Sequence, residues 1–184
     1  MMNDQRGGRP QGRGRGRYEE QKEFDQRILS LDRVTRVTKG GKRMRFRACV
    51  IIGDRKGRVG YGVAKGADVA AGVNKAVTQA KKRLITVPIV NGTIPHVVAQ
   101  KFSAASVLLK PAPKGTGIKA GGAVRVVLEL AGVPNAVAKI LGSNNKINNA
   151  KASILALQQL RRAPVKPKAP AAAEEAAKQP AAAA

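Results

Sequence analysis

The chain is poor in several residue types on which whole classes of function depend. Its 184 residues include one cysteine, one histidine, no tryptophan and only 11 acidic residues. A lone cysteine excludes a disulfide framework, and Cys49 and His96 are too few soft ligands for a zinc site. No apolar run approaches the roughly 18 residues of a membrane span, and the polar start lacks the apolar segment of a signal peptide. We therefore expect a cytoplasmic protein without a metal or other cofactor.

The scarcity of acidic residues also argues against catalysis. Residues 33–162 contain only three carboxylates, widely separated along the chain, so no pair is evident for acid/base chemistry. His96 follows a proline in a predicted inter-domain linker. Cys49 lies in a predicted strand between small apolar neighbours, which is more typical of a buried thiol than of a nucleophile. The sequence predicts a protein that is not an enzyme.

What the chain does have is a large excess of positive charge. Its 35 lysines and arginines give a formal net charge of +24, and residues 33–162 alone hold 25 basic and three acidic residues, a net +22. A chain that repels itself so strongly is usually assembled against a polyanion. Because only five aromatic residues are available for stacking, the composition favours recognition of the backbone and grooves of structured RNA over splayed bases.

Composition divides the chain into four parts. Residues 1–23 form an Arg/Gly-rich arm, and residues 163–184 form an Ala/Pro/Lys tail; neither offers enough apolar side chains for a core, so both are predicted to be disordered. Between them we expect two small α+β domains, at residues 24–92 and 93–162. Each is small enough to gain stability from docking on something larger.

The first of these domains shows three strand patterns followed by a helix pattern. Around residues 43–50, alternation places arginines on one face and Met44, Phe46 and Ala48 on the face toward a core. Glycine-rich turns separate the strands, and apolar residues at helical spacing follow them. The predicted strands are 29–34, 45–52 and 58–63, and the predicted helix is 67–84.

The second domain reads as another α/β unit. A strand at 106–110 is followed by a loop at 111–122 and an apolar run at 123–130, within which the β-branched segment 124–127 predicts a strand. A short helix ending at 141 and a last helix at 148–162 are predicted next. Either Asn145 or Asn148 is expected to cap that last helix.

Six short blocks rich in glycine, asparagine and basic residues follow one another in the two domains. They are RVTRVTKGGK (33–42), GDRKGRVGYG (53–62), KGTGIKAGGAVR (114–125), LAGV (130–133), LGSNN (141–145) and IN (147–148). In this order they resemble the bacterial small-subunit ribosomal protein S5 family, and the resemblance runs from about residue 29 to residue 160.

The resemblance implies a fold and a place. The fold is an N-terminal domain like a double-stranded-RNA-binding domain and a C-terminal α/β domain of the S5 type. The place is the small ribosomal subunit, on its 16S-type rRNA near the head–body junction and the mRNA entrance. Contacts with the small-subunit proteins numbered four and eight, and an influence on translational accuracy, are further implications.

Candidate RNA contacts follow from charge and from the resemblance. Gly40 and Gly41 would let the backbone approach a phosphate closely, although an ordinary solvated hairpin is the alternative. The other basic turn and the helix end could likewise be solvated, and Ser143–Asn145 could serve only as helix caps. The expected rRNA-binding residues are Arg33, Arg36, Lys39, Gly40, Gly41, Lys42, Arg43, Arg45, Arg47, Arg55, Lys56, Arg58, Lys65, Lys75, Lys82, Arg83, Lys114, Lys119, Ser143, Asn144 and Asn145.

The block at 114–125 also satisfies a relaxed dinucleotide-binding fingerprint, which we reject on context. A helix should open at the third small residue and an acidic residue should follow about 20 residues later, whereas here the β-branched run predicts a strand. By resemblance the block is a protein-contact and accuracy region. Its residues are Gly115, Thr116, Gly117, Gly121, Gly122 and Arg125.

Two other functions fit the same composition. A free-standing regulatory binder of double-stranded RNA would share the first domain but would not need the ordered blocks of the second. An RNA chaperone would depend on the Arg/Gly-rich arm.

Overall fold

Two sheets with their own helices make up the part of the chain that the computed structural model describes, Glu23–Arg161. The predictions for the two tails lie outside these residues. No helix in this described stretch is long and apolar enough to cross a membrane. The elements in order are β1 (Asp25–Thr38), β2 (Gly41–Gly53), β3 (Arg58–Gly66), α1 (Val69–Lys81), β4 (Ile85–Thr86), β5 (Val98–Phe102), β6 (Ala105–Pro111), β7 (Ile118–Lys119), α2 (Gly122–Ala131), β8 (Ala136–Gly142) and α3 (Lys146–Gln158).

The first sheet is antiparallel, in the order β1-β2-β3-β4. Strand β2 pairs with β1 as far as the Thr38–Gly41 pair, but with β3 only as far as Phe46. The ends of β1 and β2 therefore project beyond the sheet as a two-stranded ribbon (residues 33–45), closed by a turn at residues 39–40.

Helix α1 lies close against this sheet because β3 presents glycines to it. A Cβ at Gly62 would lie 2.0 Å from the carbonyl oxygen of Ala76, and a Cβ at Gly60 would lie 2.6 Å from that of Ala80. Any larger residue there would push the helix away. The core beneath α1 consists of Ala48, Val50, Ile52, Ala64, Ala76 and Ala80.

The second sheet has the order β5-β6-β8-β7, with β7 parallel to β8 and the other pairs antiparallel. Helices α2 and α3 cover one of its faces. Alternate residues of β6 show this clearly, because Val107 and Leu109 are fully buried whereas Lys110 is exposed. The other face of the sheet carries exposed lysines at 101, 110 and 139.

The two domains share a core. Ile51 of β2 and Val59 of β3 belong to the same buried cluster as Val127 of α2 and Leu157 of α3. The first sheet is thus covered on both faces, by α1 on one and by the second domain on the other. This explains why six consecutive residues of β2, from 48 to 53, are all buried. The α+β class and the two-domain architecture are confirmed, while the boundary at residues 92–93 stays a prediction.

The strand predicted at residues 124–127 is wrong, because this segment lies in helix α2. Val124 and Val127 are fully buried in the core that the two domains share, and the exposed Arg125 pairs with Glu129 one turn later. Gly132, with φ 78°, ends the helix in the left-handed conformation. A short run that is apolar on nearly every side has no period that separates strand from helix, and burial overrides the β preference of valine.

The short helix predicted to end at residue 141 is also wrong, since Ala136–Gly142 is strand β8. Its residues alternate between buried and exposed up to Leu141, as expected of a strand with one face on a core. Alanine and leucine favour helices, but this segment is hydrogen-bonded to β6 on one side and to β7 on the other, and that pairing decides its structure.

Met44 is exposed, which contradicts its predicted place in the core. It lies on the ribbon, beyond the last residue of β2 that β3 supports. Phe46 is half-buried and Ala48 is fully buried, so the predicted core face begins only there. The alternation was right, but the sequence does not show how far β3 extends.

Candidate RNA-binding surface

One face of the ribbon carries a row of cations. Paired residues of an antiparallel ladder share a face, and the register places Arg36 opposite Arg43 and Arg45 opposite Val34. Lys65 of β3 extends the row, because it lies opposite Arg47 on the same face. Together these side chains line a shallow groove of about 310 Å³. We call Arg36, Arg43, Arg45 and Lys65 the cationic face.

No residue of the cationic face forms an ion pair within residues 23–161. Arg47, next in the row, differs because its Nη2 donates to Asp32 Oδ2 at 2.9 Å. Like charges directly opposite each other on a ladder are destabilising, as at the Arg36–Arg43 pair. A bound polyanion would relieve that repulsion, so the cationic face is suited to phosphate.

The turn at the tip of the ribbon is open to a ligand. Lys39 and Lys42 flank the two glycines, and all four residues are exposed. A Cβ at Gly40 or Gly41 would meet nothing within 4 Å, so the fold does not need small residues there for packing. The positive φ of Gly41, 142°, is the one conformational demand.

Arg33 lies on the opposite side of the ribbon from the cationic face. Arg33 and Arg36 are three residues apart on β1, so alternation places them on opposite faces. Arg33 is paired with Phe46 across the ladder, and its guanidinium contacts the sulfur of Met44. Lys75, Lys82 and Arg83 are exposed on α1 and just past its end. Because α1 covers the face opposite to Arg45, these helix residues are not part of the cationic face either.

The second basic turn, residues 55–58, is docked on the end of α2. The amide of Arg55 donates to the carbonyl of Leu130 at 3.0 Å, and that of Gly57 donates to Ala131 at 2.9 Å. The Arg55 guanidinium also pairs with Asp25 at 2.8 Å. Two of the turn's predicted RNA contacts are thus engaged within the protein, since Arg58 pairs with Asp54 as Arg55 does with Asp25, and Lys56 remains exposed.

Asp54 organises this turn. Its carboxylate accepts from the amides of Lys56 at 2.8 Å and Arg58 at 2.9 Å, and from Arg58 Nε at 2.6 Å. Burial acts to raise the pKa of Asp54, but these hydrogen bonds outweigh it and the pKa is lowered. The ionised carboxylate is therefore a structural anchor for the domain junction.

Asn135, which sequence reasoning did not single out as a site residue, holds the loop before α2. Its Oδ1 accepts from the amides of Gly115 and Gly117, both at 3.1 Å, and its Nδ2 donates to the Gly92 carbonyl at 3.2 Å. Asn135 is buried. The sequence carries no local signal for this role, because the hydrogen-bond partners of Asn135 lie about 20 and 43 residues away along the chain.

The glycine-rich block at 114–125 leads into a helix and not into the predicted strand, although it is still not a dinucleotide-binding fingerprint. A helix does open at Gly122, with Gly121 as its N-cap, so one of the two grounds for rejection was wrong. The other stands, because no acidic residue occurs near position 142.

Arg125 and Arg27 both donate to the Glu129 carboxylate, at 2.9 and 2.8 Å, and thereby link α2 to β1.

The polar segment before α3 serves the helix start. Asn145 is the N-cap, and its Oδ1 accepts from the amide of Ile147 at 3.0 Å, which confirms the capping prediction for this residue. Ser143 Oγ accepts from the amide of Asn145 at 3.2 Å. Asn144 and Lys146 are exposed and remain free to contact a ligand.

Cys49 and His96 lie where their predicted roles place them. Cys49 is fully buried, and this burial raises the pKa of its thiol to about 11, so it stays protonated at neutral pH. His96 is exposed in the loop between β4 and β5. Within the described stretch, no group of three potential metal ligands comes together.

Two family models match the chain. The model for ribosomal protein S5, N-terminal domain, matches residues 24–88, and the model for ribosomal protein S5, C-terminal domain, matches residues 100–168. Between them they cover most of the chain, including the first sheet, nearly all of the second, the cationic face and the Asn135 loop. The resemblance seen in the sequence is confirmed. The chain belongs to the ribosomal protein S5 family, a class of structural, non-enzymatic proteins that bind rRNA in the small ribosomal subunit.

Proposed function

We propose that this protein stabilises the head of the small subunit relative to the body, near the mRNA entrance, and contributes to translational accuracy. The unpaired cations of the projecting ribbon are the observation that carries the proposal. A ribbon that extends beyond its own sheet can reach a second RNA segment while the rest of the protein stays bound to the first. The junction of two RNA domains is where such a reach is useful.

The two domains have different tasks in this proposal. The ribbon and its tip bind rRNA phosphates, with Lys56, Lys75, Lys82 and Asn144 as further contacts. The segment from Lys114 to Arg125, which comprises the loop and the first turn of α2, contacts the ribosomal proteins numbered four and eight. Asn135 supports this by holding the loop in one conformation, and a preorganised loop loses less entropy on binding. The shared core joins the two domains.

The ribbon's role is tested by removing three charges from it. The triple variant Arg36→Gln, Arg43→Gln, Arg45→Gln should bind small-subunit rRNA more weakly and with a flatter salt dependence. Each lost phosphate contact lowers the log–log slope by about 0.9, so the slope should fall by up to about 2.7. Binding is measured by filter retention at a series of salt concentrations, and incorporation by co-sedimentation with small subunits at high salt.

A matched control removes the same charge elsewhere. Lys101→Gln, Lys110→Gln, Lys139→Gln changes three exposed lysines on the uncovered face of the second sheet. If the control flattens the slope as much as the ribbon variant does, binding depends on net charge and the ribbon has no special role. An unchanged slope in the ribbon variant would show that its arginines are merely solvated.

A further inference from the structure

A cleft lies between the two domains, away from the ribbon, where the end of α1 and strand β4 face helix α3. Its volume is about 330 Å³, at the lower end of the range of about 300–1,000 Å³ typical of small-ligand pockets. Leu84, Ile85, Ile154 and Leu155 supply an apolar lining. Junctions between domains are places where such pockets commonly occur.

The charged side chains that line this junction cleft are both basic. Arg83 and Lys151 line it, together with Tyr61 and Gln158, and no carboxylate is among the lining residues. Neither cation forms an ion pair with another described residue. The Lys151 ammonium lies 3.9 Å from the centroid of the Phe102 ring. The cleft therefore suits a ligand with a flat or apolar body and a negatively charged group.

Tyr61 supplies an aromatic ring at the boundary between core and cleft. It projects from β3 toward the second domain and packs against the shared core, half-buried. Burial raises the pKa of its hydroxyl, while the positive charge of Arg83 acts in the opposite direction. An aromatic ring and a guanidinium close together are the two side-chain surfaces on which unstacked RNA bases commonly stack.

We propose that the junction cleft binds one unpaired nucleotide of the RNA, with its base among Tyr61 and the apolar side chains and its phosphate at Arg83 and Lys151. This rests on the proposed RNA-binding function but uses a different surface from the ribbon. It adds one base-directed contact to a protein whose composition otherwise favours backbone recognition. A fully paired helix presents its bases edge-on inside the grooves and could not fill the cleft.

The test compares a fully paired RNA duplex with the same duplex carrying a single-nucleotide bulge, using each of the four nucleotides in turn. The wild-type protein should bind at least one bulged duplex about tenfold more tightly, a typical effect of stacking one base. The readout is the ratio of the two dissociation constants, which cancels losses of general electrostatic attraction. Arg83→Gln with Lys151→Gln, and separately Tyr61→Leu, should bring the ratio to about one.

The matched control is Lys110→Gln with Lys139→Gln, which removes the same charge from the uncovered sheet face and should keep the wild-type ratio. Urea unfolding shows whether Tyr61→Leu is folded, and the charge variants test the cleft independently of it. A wild-type ratio of one with every bulge, while the duplex itself is bound, overturns the cleft proposal and leaves the proposed function intact. A preference that survives both cleft variants also overturns it. Failure to bind either RNA overturns both proposals.

Discussion

Replacing Gly132 with alanine tests how the two domains are joined. Gly132 ends α2 with φ 78°, and a Cβ there would lie 2.0 Å from the carbonyl oxygen of Arg55. The Cβ is fixed to the backbone of α2, and the Arg55 carbonyl is itself backbone, in the other domain. Neither atom can rotate away as the end of a flexible side chain could. Relief requires the turn at residues 55–57 to move off the end of α2.

The expected cost follows from what that movement breaks. It would lose the hydrogen bonds from the amides of Arg55 to Leu130 and of Gly57 to Ala131, each worth about 1 kcal/mol. The left-handed conformation costs alanine about 1 kcal/mol more than glycine. We therefore expect Gly132→Ala to lower the free energy of unfolding by about 3 kcal/mol, a large share of the roughly 5–15 kcal/mol typical of a folded protein.

Gly117→Ala is the matched control, because Gly117 has a similar φ of 70° but a Cβ there would meet nothing within 4 Å. It should lose only the conformational part, about 1 kcal/mol. Urea unfolding followed by far-UV circular dichroism measures both variants, with a shifted midpoint at constant slope. If Gly132→Ala is no more destabilised than Gly117→Ala, the close approach of the two domains at this point is not as described.

Two further predictions concern single anchors. Asp54→Asn should destabilise the protein by about 1–3 kcal/mol through loss of the charge-assisted bond to Arg58. Because folding lowers the pKa of Asp54, the contribution of its carboxylate to stability is present above the unfolded-state pKa and is lost as pH falls through the folded-state pKa. The variant lacks this carboxylate, so its stability should fall less steeply in acid than that of the wild type. Parallel profiles of urea midpoint against pH would contradict this. Asn135→Ala should speed hydrogen exchange at Gly115 and Gly117 without changing the circular dichroism, and should alter stop-codon readthrough in cells that carry only this variant. Unaltered exchange would refute the anchoring, and unaltered readthrough would count against the accuracy role.

Much of the first domain is predictable because its signals are local. The strands of the hairpin combine β-branched residues with a two-glycine turn, and α1 follows with apolar residues at helical spacing. The two errors of secondary structure fall in the second domain, where residues 124–127 and 136–142 take the structure that their neighbours impose. Asn135 was missed for a related reason, since its hydrogen-bond partners are brought to it only by the tertiary fold.

The charge pattern shows the same limit. A sequence reveals how many cations a turn carries but not which of them a distant carboxylate will neutralise. Arg55, for example, pairs with a residue of β1 thirty positions earlier, Asp25.

The few carboxylates of the described stretch lie where they leave the cations of the two proposed RNA-binding surfaces unpaired. Six acidic residues lie in the described stretch, and four of them form ion pairs: Asp25, Asp32, Asp54 and Glu129. Three of these four lie where the domains meet, and Asp32 lies at the base of the ribbon. None of these four forms an ion pair with a residue of the cationic face or of the junction cleft, so the cations of both surfaces stay available to phosphate. For the binding of phosphate, the positions of the acidic residues in this protein therefore matter more than their small number.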